Sequence, residues 1–206
     1  MTAWVIATRS RGKLAELVPM LAAHGISAIG LADAGLSESA AEAGIEVFDS
    51  FEANAVAKAR HFAARTGQPC LADDSGLCID ALGGLPGVRS RRFARDAGWR
   101  VPVGVGEDAA NAEAMLDACW NSGWAPPWAA HFACAAAFAD GTRVVVTTGR
   151  SAGTIIPERA GDGGFGYDPW FMSADLGCTF AQASTAAKAQ VSHRARAVAA
   201  VLAQLC

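Results

Sequence analysis

One dipeptide constrains the fold more than any other feature of this chain. Asp140 and Gly141 stand between two strand-like apolar runs, 131–139 and 143–149, and Asp-Gly is a hairpin turn signal. A tight hairpin of this kind joins antiparallel strands, so a purely parallel sheet is excluded. Elsewhere strand and helix patterns are interleaved. Trp4, Val5 and Ile6 form a short apolar run, a polar glycine-bearing stretch follows, and Leu14, Leu17, Val18 and Leu21 then recur on one helical face. Gly25 marks the stop of that helix, and Pro19 inside it predicts a kink or an earlier end. Over 51–65 a second helix places Phe51, Ala55, Ala59 and Phe62 near one face, with Asn54 and Lys58 sharing a face four positions apart. Residues 69–72 read as a short buried strand running into Asp73-Asp74-Ser75-Gly76. The spacing predicts a loop over 80–87, an irregular excursion over 95–106, and helices over 108–120 and 188–205. The expected class is α/β with a mixed sheet and flanking helices.

Composition narrows the function. Hydrophobic residues are 52% of the chain and charged residues 18%, which excludes a disordered segment. Lys plus Arg is 17 against 20 for Asp plus Glu, a net charge of −3 that argues against a duplex nucleic-acid binder but not against a small anionic ligand. No apolar run reaches the roughly 18 residues of a membrane span. The apolar start, residues 3–7, is too short for a signal-peptide core and is followed by Arg9, Arg11 and Lys13, so the expected location is cytoplasmic. Six cysteines, at 70, 78, 119, 134, 178 and 206, lack CxxC or zinc spacing and read as buried structural thiols.

Four segments carry chemistry. Thr8, Arg9, Ser10, Arg11, Gly12 and Lys13 lie where a strand leads into a helix, so free backbone N–H groups and positive charge suit a phosphate; an ordinary basic turn is the bland alternative. Asp73 and Asp74 are adjacent carboxylates after a buried strand, costly to hold uncompensated and suited to a divalent cation, or else a simple turn. Glu42 and Glu46 are candidates for a further carboxylate from an earlier loop. Gly161, Gly163, Gly164 and Gly166 surround Phe165, Tyr167 and Asp168, a loop that can approach a ligand closely and offer aromatic faces to a flat base. Lys188 and the run Ser192-His193-Arg194 supply donors for carbonyl oxygens, unless they form a solvated helix face. Trp99, Trp120, Trp124 and Trp128 read as packing or dimer-surface residues.

Together these blocks resemble the inosine triphosphate pyrophosphatase family. The likeness rests on Ala-Thr-Arg-Ser-Arg-Gly-Lys (7–13), Phe-Glu-Ala-Asn-Ala (51–55) with Lys58, and Ala-Asp-Asp-Ser-Gly-Leu (72–77). It continues through Leu-Gly-Gly-Leu-Pro-Gly-Val (82–88), Ser90 with Arg92, Gly-Gly-Phe-Gly-Tyr-Asp-Pro (163–169), and Lys188 with Ser-His-Arg (192–194). The resemblance implies one elongated two-lobed domain over 1–206 with the active cleft between the lobes, and a homodimer. It implies Mg²⁺-dependent hydrolysis of ITP, dITP and XTP to the monophosphate and pyrophosphate, cleansing nucleotide pools. By motif, residues 8–13 and Ser75 contact substrate, Asp74 is proton acceptor and metal ligand, and Glu42 is the second metal ligand, with Asp73 close to the ion. Phe165, Gly166, Tyr167 and Asp168 line the nucleoside pocket, and Lys188, His193 and Arg194 reach the base or the sugar–phosphate end. Ser10 stands where the family usually has Asn, which keeps a nucleotide-binding sensor without turnover as an alternative, alongside a pyrophosphatase for other modified nucleotides. Arg91 replaces a small residue and adds charge.

Overall fold

A computed structural model describes residues 3–101 and 103–205; Cys206 lies outside the described residues. Six strands form one sheet: β1 (Trp4–Ile6), β2 (Ala28–Gly30), β3 (Cys70–Ile79), β4 (Trp128–Ala139), β5 (Val144–Ile155) and β6 (Phe171–Ser173). Their order is β2-β1-β3-β4-β5-β6, with β1 parallel to both β2 and β3, and β5 antiparallel to β6. The sheet is therefore mixed, as expected. Asp140 closes the turn between β4 and β5, its Oδ1 accepting from Thr142 N at 3.0 Å and Arg143 N at 2.8 Å. Among the described residues, six α-helices accompany the sheet: α1 (Arg11–Ala22), α2 (Phe51–Thr66), α3 (Phe93–Asp96), α4 (Glu107–Asn121), α5 (Thr185–Val191) and α6 (His193–Leu205). No described helix is long and apolar enough to cross a membrane.

Contacts divide the chain into two compact units. The first comprises Met1–Asp74, Cys134–Gly149 and His193–Cys206; the second comprises Ser75–Ala133 and Arg150–Ser192. In the first unit, strand alternation sorts side chains onto two faces. Val5, Cys70, Ala72, Ala135 and Ala137 pack with Ala55, Ala59 and Phe62 of α2. Ile6, Leu71, Cys134, Ala136 and Phe138 pack with Leu17 and Leu21 of α1 and Val198, Val201 and Leu202 of α6. Both faces are covered, so these strands read as near-continuous apolar runs. The second unit has its own core, where Leu77, Ile79, Trp128, Phe132 and Phe171 pack with Phe93 of α3 and Met115 and Cys119 of α4.

Four expectations are corrected. The helix α1 runs through Pro19 to Ala22, and Gly25 takes the positive φ of the reversal beyond it. Strand β3 does not stop at Ala72 but continues through Asp73-Asp74-Ser75-Gly76 to Ile79, because cations compensate the buried carboxylate of Asp73. Strand β5 extends six residues past Gly149, across a Ser-Ala-Gly-Thr stretch with no apolar pattern to announce it. The single helix expected over 188–205 is two, α5 and α6, broken at Ser192, which is extended at φ −67, ψ 150.

Four of the cysteines, at 70, 78, 119 and 134, are buried and unbridged, and Cys178 is half-buried and free. Burial pushes the thiols of Cys70 and Cys134 up to about 12 and that of Cys119 to about 11, as structural residues require. Of the tryptophans, Trp128 is core and Trp99 is packed against it, while Trp120 and Trp124 are exposed. Arg91 is exposed too, 3.7 Å from Glu107.

Candidate active site

Ser10 is the N-cap of α1: its Oγ accepts from Lys13 N at 3.3 Å, and Thr8 Oγ1 accepts from Ser10 N at 3.2 Å. Serine is among the best residues for this position, so its replacement of Asn leaves the loop conformation satisfied. The helix starts at Arg11 and Gly12, directing its free N–H groups and positive end toward this loop. Arg9 is committed elsewhere. Its Nε and Nη2 hold the Glu42 carboxylate at 3.1 and 2.7 Å, and its Nη1 and Nη2 hold the carbonyls of Leu36 and Ser37. The Glu42 carboxyl is accordingly held below its ordinary value by the Arg9 hydrogen bond, against a smaller effect of burial.

The two aspartates of β3 point to opposite faces, as neighbours on a strand must. Asp73 lies on the α1/α6 face: Lys13 Nζ is 3.1 Å and Arg194 Nε 3.0 Å from its Oδ2. It is completely buried, and burial raises its pKa, but Lys13, Arg194 and Lys58 outweigh that and hold it well below the carboxylate range. Asp74 lies on the α2 face, where Asn54 Nδ2 donates to its Oδ2 at 2.9 Å. Here burial wins over Lys13, Lys58 and the Asn54 bond, and the Asp74 carboxyl is pushed up. A buried carboxylate whose proton affinity is raised by burial, with two lysines in its field, has the chemistry of a general base.

Glu46, rather than Glu42, shares this field. Asp74 and Asp73 both interact electrostatically with it, Lys58 Nζ is ion-paired to its Oε1, and the lysine holds its carboxyl low although burial raises it. Lys58 itself is kept protonated: burial lowers its pKa, and Glu46, Asp73 and Asp74 more than reverse that. Among the described residues no three metal-ligating side chains are already gathered into one cage. Mg²⁺ needs no such cage when substrate phosphates complete its shell.

In the second unit, Ser75 and Gly76 lead β3 onward, and Gly76 has no room for a side chain. A Cβ there would stand 2.1 Å from Gly87 O and 2.5 Å from Ser90 Oγ. Ser90 Oγ accepts from Leu77 N at 2.9 Å and donates to Gly87 O at 2.7 Å. The glycine loop folds around Asp168, whose Oδ2 accepts from Phe165 N at 2.9 Å and pairs with Lys188 Nζ at 2.5 Å. Gly164, at φ +69, fits only as glycine, since a Cβ would meet that same Oδ2 at 2.1 Å. Lys188 Nζ also lies 5.2 Å from the Phe165 ring centroid and 5.3 Å from that of Phe180. Gly166 N donates to Asp108 Oδ2 at 3.2 Å. Tyr167 is buried, and its hydroxyl donates to Ser90 O at 2.7 Å.

His193 and Arg194 open α6 in the first unit, both buried. Arg194 is not a free donor: besides Asp73 it is ion-paired through Nη1 to Glu16. The structure thus brings Lys13, Asp73 and Arg194 together in one unit, and Phe165, Asp168 and Lys188 in the other. It ties Arg9 to Glu42, places Asn54, Lys58 and Glu46 beside Asp74, sets Ser90 against β3, and brings in Glu16 and Asp108. Of these, the four-residue spacing of Asn54 and Lys58 was a usable signal; Asp108 had none.

The amino-acid sequence matches the model of the Ham1 family over residues 4–204. A dITP/XTP pyrophosphatase of Ralstonia nicotianae is 40% identical over 204 residues, covering 98% of this chain and 95% of that protein. A protein of the same description from Bordetella parapertussis is 38% identical over 201 residues, covering 98% and 90%. Among solved structures, a HAM1 protein from Coxiella burnetii superposes with a TM-score of 0.80 at 32% identity, covering 100% of this chain and 98% of that one. Motif order, fold and near-complete coverage agree, and this chain belongs to the Ham1 family.

Proposed function

We propose that this protein hydrolyses non-standard purine nucleoside triphosphates, dITP, ITP and XTP, to the monophosphate and pyrophosphate. Residues 1–206 serve as one pyrophosphatase domain, acting on free nucleotides in the cytoplasm as a homodimer without nucleic-acid or membrane partners. The relatives' described activity supports the substrate class. The net charge of −3 supports a small anionic ligand over a polyanion. The observation that carries the reaction is Asp74, buried, held by Asn54, and raised in pKa within the field of Lys13 and Lys58.

In this reading the loop N–H groups of residues 8–13 and the Lys13 ammonium receive the phosphates. Asp74 orients the attacking water and accepts its proton. Asp74 and Glu46 are the hard oxygen donors that suit Mg²⁺, and their burial beside one another's charge favours a cation there. Bound there with the phosphates, Mg²⁺ would supply Lewis-acid polarisation of the phosphoryl oxygens. Glu42, tied to Arg9, holds the 36–42 segment instead. Ser75, Phe165, Gly166, Asp168 and Lys188 bind the nucleoside. His193 donates to the 6-carbonyl of hypoxanthine or xanthine, a contact that the amino group of adenine cannot accept.

The test is pyrophosphate release from ITP, XTP, dITP, GTP and ATP, each with Mg²⁺ and with EDTA. Metal-dependent release confined to the first three is expected, and Asp74→Asn should lower turnover at least about 10²-fold. Equal release from ATP and GTP, or near-normal turnover in the variant, would refute the reading.

A further inference from the structure

The helix α2 does more than pack. Asn54 lies one turn into it, 1% exposed, on the face that also presents Lys58. Its single side-chain amide serves two separate parts of the chain. Oδ1 accepts from Phe48 N at 2.9 Å, and Nδ2 donates both to Phe48 O at 3.1 Å and to Asp74 Oδ2 at 2.9 Å. Phe48 lies two residues after Glu46, and Glu46 is ion-paired with Lys58 one turn further along the same helix. A carboxylate pair from distant parts of the sequence is thereby referenced to one rigid element. Both N–H bonds of the amide are used, and an apolar side chain of similar size could satisfy neither partner.

We propose that Asn54 is a positioning residue for phosphoanhydride hydrolysis: its amide fixes the Asp74 carboxylate and the backbone that carries Glu46 to one helix, setting their separation for a divalent cation. The proposal rests on the function assigned above. Groups that orient a metal's ligands commonly change its affinity by about 10- to 100-fold when removed.

The experiment compares wild type with Asn54→Ala. Alanine favours the helix more than asparagine does, so α2 itself is not weakened. The expected result is a rise of about tenfold in the Mg²⁺ concentration giving half-maximal rate with dITP, while the KM for dITP at saturating Mg²⁺ stays within about twofold. In nucleotide-free protein, binding of Mn²⁺, followed by the electron paramagnetic resonance signal of the free ion, should weaken by a similar factor. A purely structural role would lower the folded fraction and leave both half-saturation values in place. Asn54→Ser, whose hydroxyl can donate to only one of the two acceptors, serves if the alanine variant does not fold. Unchanged Mg²⁺ and Mn²⁺ half-saturation in the folded variant overturns the proposal. Failure here with Asp74→Asn inactive removes only the role of Asn54, whereas an active Asp74→Asn removes the assigned function itself.

Discussion

Replacing Arg194 by methionine is expected to destabilise the protein far more than removing an ordinary ligand-binding arginine would. The guanidinium is 2% exposed, its Nε lies 3.0 Å from the fully buried Asp73, and its Nη1 pairs with Glu16. Methionine keeps much of the volume, so the loss is electrostatic. Breaking one partner out of a buried ion pair costs about 3–5 kcal/mol, because the other charge is left in a poor solvent. Lys13, 3.1 Å from the same Asp73 oxygen, still compensates part of that charge, which places the value near the lower end, about 3 kcal/mol. For a chain of this length each kcal/mol shifts the melting midpoint by about 2–4 °C, so a fall of about 6–12 °C is expected. The assay is urea and thermal unfolding of Arg194→Met, Asp73→Asn and the double variant. The double variant should lose less than the sum of the singles, with a coupling of about 1–3 kcal/mol. An Arg194→Met protein as stable as wild type, or strictly additive effects, would refute the buried-pair argument and restore Arg194 as a free donor for substrate.

Two further outcomes follow from the second unit. Tyr167→Phe deletes only the hydroxyl that reaches Ser90 O at 2.7 Å, leaving that carbonyl without this donor, so unfolding free energy should fall by about 1–3 kcal/mol; a tyrosine whose role is stacking on the base would instead lose nucleotide affinity at unchanged stability. Burial, reinforced by Arg150 and opposed by Asp80, lowers the pKa of His131 from its ordinary value of 6.5. The unfolded chain therefore binds the proton more tightly, so this stabilisation is full above about pH 6.5 and is lost as pH falls through the folded-state value. His131→Gln should flatten the dependence of the melting midpoint between about pH 7 and pH 5, and an unaltered slope would show that His131 does not contribute.

The alternating cores explain what could be read from the chain and what could not. Helices α1 and α2 were legible because apolar periodicity, with Gly25 beyond the end of α1, agreed with the fold. The β4–β5 turn was legible from Asp140-Gly141 alone. The true length of β3 was hidden because two aspartates and a serine interrupt its apolar run, and the cations that compensate Asp73 come from positions 13 and 194. The break at Ser192 was hidden because the apolar positions 191, 198, 201 and 202 continue past it in helical spacing. The same long-range pairing limited the site. Motifs brought Asp74 and Lys188 forward as candidates, but one-dimensional spacing could not show that Arg9 engages Glu42 while Lys58 engages Glu46.

The partnership of Asp73 with Arg194 also bears on how the chain is made. Their 121-residue separation means that a ribosome delivers the strand long before it delivers the counter-charge. Until α6 has emerged, Lys13 is the nearer cation available to that carboxylate, and the apolar face awaiting Val198, Val201 and Leu202 stays open. A product ending before residue 193 would therefore carry an uncovered sheet face with a charge in it. Exposed apolar surface of that kind makes partly made chains prone to aggregation, and α6 covers it.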